Sequence, residues 1–90
     1  MFIFGNGGEI INSDHVTMID FSYDESLSLD TGIKKYEAIA ICFIDSRHGS
    51  KAVAIWSNKF DSVKDRHMAV QSFRDAFMQA LENKQDYFIA

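Results

Sequence analysis

Tyr36-Glu37-Ala38-Ile39-Ala40-Ile41-Cys42-Phe43-Ile44 is the stretch that decides the fold. Alternate residues fall into two sets: Tyr36, Ala38, Ala40, Cys42 and Ile44, and Glu37, Ile39, Ile41, Phe43 and Asp45. Both sets are largely apolar, the mark of a central strand with both faces covered. Beginning at Lys35 or Tyr36, this strand runs to Ile44. Downstream, Asp45-Ser46-Arg47-His48-Gly49-Ser50 reads as a hairpin loop, and Lys51 to Ser57 as a second strand that is apolar on both sides. Strict alternation puts Val53 and Ile55 on one face of it, and Ala52, Ala54 and Trp56 on the other. Upstream, His15 to Tyr23 alternates as a half-buried strand, with His15, Thr17, Ile19, Phe21 and Tyr23 opposite Val16, Met18, Asp20 and Ser22. Residues 24–33 are polar and acidic, and read as an exposed loop ending at Thr31-Gly32.

At the N-terminus, Phe2-Ile3-Phe4 and Glu9-Ile10-Ile11-Asn12 are short strands around the turn Gly5-Asn6-Gly7-Gly8, where Gly and Asn tolerate positive φ. After the last long strand, Asp61 or Ser62 can cap a helix by accepting from a first-turn amide. Val63, Val70, Phe73, Phe77, Ala80 and Leu81 recur at helical spacing on one face. A helix over 62–83 is about 33 Å long, close to the ~30 Å of a nine-residue strand. The tail Tyr87-Phe88-Ile89 is apolar enough to dock rather than fray. The expected fold is a single α+β domain over residues 1–90. It has a four- or five-stranded, mainly antiparallel sheet, a meander, packed against one long C-terminal helix. One helix covers one face of such a sheet. Either the sheet closes on itself as a small barrel or a second copy covers the other face, and a homodimer is the expectation.

Composition narrows the function. Apolar residues make up 47% of the chain and charged residues 24%, so the chain resembles an ordinary globular domain rather than a disordered one. No apolar run is long enough to cross a bilayer, and no basic, apolar leader is visible, so a cytoplasmic location is expected. Residues 1–33 carry Glu9, Asp14, Asp20, Asp24, Glu25 and Asp30 and no Lys or Arg, whereas most of the basic residues lie in 34–74. With a pI near 5.1, long-range attraction to nucleic acid is not expected. Lys34, Lys35, Arg47, Lys51 and Lys59 with Tyr36 and Trp56 form only a scattered basic and aromatic set.

Catalytic and metal chemistry find little support. His15, His48 and His67 lack metal-ligand spacing, the loop pair Asp45 and His48 is equally a polar loop, and the single Cys42 lies in an apolar strand that keeps a thiol inert. The glycine turn precedes a strand rather than the helix N-terminus that a phosphate loop needs. The acidic segment lacks the Asp/Asn ladder of a calcium loop. No cofactor is implied. The reading is a non-enzymatic protein-binding module that meets a basic partner through Asp20, Asp24, Glu25 and Asp30. The alternative is a structural homo-oligomer that self-assembles through its sheet. A small-molecule or nucleic-acid binder is a more distant one.

The run Glu9 to Phe21, the later strands, and Phe60-Asp61-Ser62 opening an amphipathic helix resemble short bacterial and phage proteins that place a β-meander before one C-terminal helix. Phage inhibitors of host defence, anti-CRISPR proteins among them, are similar in size and acidity. The resemblance implies a binding protein and carries over no site residues.

Overall fold

The computed structural model describes residues 1–47 and 49–90, with Ser46 described by its backbone alone. The elements in chain order are β1 (Phe2–Phe4), β2 (Ile10–Asn12), a 3-10 turn (Ser13–His15), β3 (Val16–Leu27), β4 (Lys34–Ser46), β5 (Gly49–Phe60), α1 (Val63–Glu82) and β6 (Tyr87–Ile89). The class is α+β with one C-terminal helix, as the sequence predicts. The expected single four- or five-stranded sheet is replaced by two three-stranded sheets, ordered β3-β4-β5 and β2-β1-β6.

The long sheet is an antiparallel meander with β4 at its centre. Ala40 pairs with Phe21 on one side and Trp56 on the other. Its even-numbered β4 residues Ala38, Ala40 and Cys42 are fully buried against the helix side. Between Ala40 and Ile41 the register with β5 shifts, leaving Ile55 as an extra residue. This bulge overturns the strict alternation expected for β5. Ile55 and Trp56 both enter the core, while Ala52 and Ala54 stay exposed on the opposite face.

The helix begins where the sequence places it. Ser62 is the N-cap, its hydroxyl accepting from the Asp65 amide at 3.1 Å. At the other end, Gln85 N donates to Ala80 O and Lys84 N to Leu81 O, with Lys84 at φ 51, a Schellman closure built on a residue other than glycine. Val70 and Phe73 are buried, and Phe73 lies 5.8 Å from Phe21, 5.1 Å from Trp56 and 5.6 Å from Phe88 between ring centroids. Edge-to-face and offset packing of this kind adds to the area term. Burial in this cluster pushes the Cys42 thiol up to about 11.

The small sheet explains the tail. β1 pairs antiparallel with β2 through the expected glycine turn, and parallel with β6. Its inner residues Ile3, Ile11 and Phe88 join the same core as Phe73. The Asn6 amide reaches the Ile55 carbonyl at 2.8 Å, so the turn leans on the bulge of β5. A Cβ on Gly5 would stand 3.0 Å from that carbonyl, which is why the turn needs glycine there.

Two further expectations change. The acidic stretch is strand rather than loop up to Leu27, because cross-strand pairing continues to Leu27–Lys34. His15 belongs to the 3-10 turn and not to β3. Strands of 12 and 13 residues span about 40 Å, against about 30 Å for the 20-residue helix. The β3–β4 hairpin therefore outruns its cover, and Leu27, Leu29 and Ile33 at its tip are exposed.

Candidate functional site

Two apolar sheet surfaces have nothing packed on them among the described residues. The first is the outer face of the small sheet. With Ile3, Ile11 and Phe88 turned inward, period-2 alternation turns Phe2, Phe4, Ile10, Tyr87 and Ile89 outward. Their exposures run from 39% for Phe4 to 71% for Ile89. The Phe4 and Tyr87 rings meet edge to face at 6.3 Å, so the patch is organised and not a scatter of single side chains. No charged residue interrupts it. The Glu9 carboxylate, next to Ile10 in sequence, folds into the glycine turn, where it accepts from Gly7 N at 3.2 Å.

The second surface is the open face of the long sheet. Cross-strand register lays it out in rows: Met18, Phe43 and Ala52; Asp20, Ile41 and Ala54; Ser22, Ile39 and Ser57; Asp24, Glu37 and Lys59. Ile39, Ile41 and Phe43 are half-buried by their own neighbours, whereas Met18, Ala52 and Ala54 are exposed. The result is an apolar strip down β4, an acidic margin on β3, and a margin on β5 that ends in Lys59.

The four acidic residues picked out from the sequence do not converge. Asp20 and Asp24 share the open face, and each carboxylate accepts from the following amide, Phe21 N and Glu25 N, at 2.8 Å. Glu25 points to the other face and pairs with Lys34 at 2.9 Å, which raises the Lys34 pKa through that hydrogen bond and its charge. Asp30 lies in the tip loop. Adjacent positions on a strand face opposite ways, so nearness in sequence separates these groups.

The basic set is also dispersed. Lys35 is paired with Asp61. Arg66 of α1 stacks on Tyr23 and Tyr36 at 4.9 and 5.6 Å. Trp56 is buried, and Arg47 sits a full strand length away from Lys34. His48, and with it the Asp45 and His48 pair, lies outside the described residues. Among the described residues no three His, Cys, Asp or Glu side chains come together as a metal site. No helix is long and apolar enough to cross a membrane.

A groove of about 370 Å³ runs between β3 and α1, lined by Val16, Ile19, Phe21, Phe73, Phe77 and Leu81 with Arg74 at its rim. Sequence reasoning missed the outer face of the small sheet. It treated Phe2, Phe4, Tyr87 and Ile89 as ordinary strand and tail residues. The signal was the run of large apolar residues at both ends of the chain, which only the parallel pairing of β1 with β6 brings together.

Comparison with protein-family models, with curated proteins and with solved structures finds no match for this chain.

Proposed function

We propose that this chain is a protein-binding module without catalytic activity, and that it meets its partner through the outer face of the small sheet. One observation carries the reading. Phe2, Phe4, Ile10, Tyr87 and Ile89 form a contiguous, uncharged apolar surface on a three-stranded sheet. Soluble domains rarely leave aromatic and aliphatic residues clustered in this way unless another protein covers them. Aromatic side chains at the centre of a patch are also the residue types that dominate binding energy. The acidic residues Asp20, Asp24, Glu25 and Asp30 lie on the long hairpin, apart from this surface.

The test is affinity capture with wild-type bait beside an Ile10→Lys/Ile89→Lys bait, both residues being exposed. The expected result is a stoichiometric protein retained by wild type and lost with the double variant. The same proteins on both baits, or none on either, contradicts the proposal.

A further inference from the structure

We propose that the open face of the long sheet is covered by a second copy of this chain, related by a two-fold axis running along β4. The proposal concerns a different surface from the small-sheet patch and stands apart from it.

The rows of the open face are complementary to themselves when turned about that axis. Such a rotation lays the β3 margin of one copy over the β5 margin of the other. Ser22 then faces the partner's Ser57. Asp24 faces the partner's Lys59, which makes no ion pair of its own among the described residues. Ile39, Ile41 and Phe43 lie along the axis and form the apolar centre. Aligned sheets pack about 10 Å apart with strands about 30° from parallel, a geometry this axis allows. An axis across the strands is the alternative. It stacks β3 on β3 and sets the Asp20 and Asp24 margins against each other.

Pairing through strand edges is opposed by the chain itself. On the β3 edge, Asp20 and Asp24 cap the amides of Phe21 and Glu25. On the β5 edge, Asn6 already donates to the carbonyls of Ile55 and Ser57. Both devices discourage strand addition and leave the face as the route to self-association. The facing rows span about 23 Å of three strands about 4.8 Å apart, a footprint near ~330 Å². That is below the ~800 Å² per partner of a standard interface and is the size of a weak, reversible dimer. Glu37 meets the partner's Glu37 on the axis, so this end is an ionised rim and the Phe43 end is the dry one.

Light scattering on six chains tests the proposal: wild type, Asp24→Lys, Lys59→Asp, their double reversal, Glu37→Gln and Ala54→Glu. Wild type is expected at twice the 10.2 kDa chain mass. Each single reversal turns two symmetric attractions into repulsions and is expected to weaken association by about tenfold. The double reversal restores it, and Glu37→Gln strengthens it. Ala54→Glu, at an exposed position on the same face, abolishes it, and melts like the wild-type chain when both are diluted to the monomer. A wild-type mass of 10.2 kDa at high concentration overturns the proposal and leaves the small-sheet reading to its own experiment. A dimer indifferent to Ala54→Glu also overturns it, as does a double reversal no tighter than the single ones.

Discussion

The two faces of β4 are almost equally apolar, yet they are built from residues of different size. The covered face presents Ala38, Ala40 and Cys42, and the open face presents Ile39, Ile41 and Phe43. Small residues let the helix layer come close, so the aromatic bulk of that core is supplied by neighbours: Phe21 from β3, Trp56 from β5, Phe73 from α1 and Phe88 from β6. Large residues on the open face already fill their own surroundings and offer a ready-made strip to another sheet. Hydrophobicity therefore identifies the central strand, and side-chain size tells which face the chain's own helix takes.

One substitution placed on each face breaks or sharpens this contrast. Ala40→Glu sets an unpaired charge in the covered core and is expected to cost more than about 5 kcal/mol, enough to prevent folding. A folded, cooperative Ala40→Glu chain contradicts the assignment of faces. Phe73→Ala removes the ring shared by both sheets and the helix. Chemical denaturation should show a loss of about 3–5 kcal/mol.

Cys42 gives a pH test of the same core. Its thiol is held at about 11 in the folded chain against an ordinary 9.0. The folded state thus retains its proton longer than the unfolded one. Stability is full below pH 9 and falls between pH 9 and 11, by about 2–3 kcal/mol in all. Subtracting the stability curve of Cys42→Ala isolates this loss, and parallel curves for the two chains would count against it.

Smaller effects follow at the edge of the covering layer and on the open side. Ser62→Ala removes the helix cap and should cost about 1 kcal/mol in a thermal melt. Ala54→Glu, the counterpart of Ala40→Glu on the open face, should change the stability of the diluted, monomeric chain by less than about 0.5 kcal/mol. A large loss there would mean that the open face is part of the monomer core.

Much of this was legible in the sequence, and the rest failed for identifiable reasons. The central place of β4 followed from alternation alone, and the start of α1 from Ser62. The bulge at Ile55 was not legible, because Val53, Ile55 and Trp56 are all large and apolar and no Gly or Pro marks the irregularity. The division into two sheets depends on pairing Phe2–Phe4 with Tyr87–Ile89, a contact between the two ends of the chain that no local pattern encodes. The spread of the acidic residues was not legible in their spacing: strand alternation sends Asp20 and Asp24 to one face and Glu25 to the other.

Self-association through the open face of the long sheet is read directly from ¹H–¹⁵N correlation spectra recorded across a dilution series. Concentration-dependent shifts are expected on Met18 to Asp24, Glu37 to Phe43 and Ala52 to Lys59, with α1 unmoved. Shifts grouped on α1, or none at any concentration, would contradict self-association through this face.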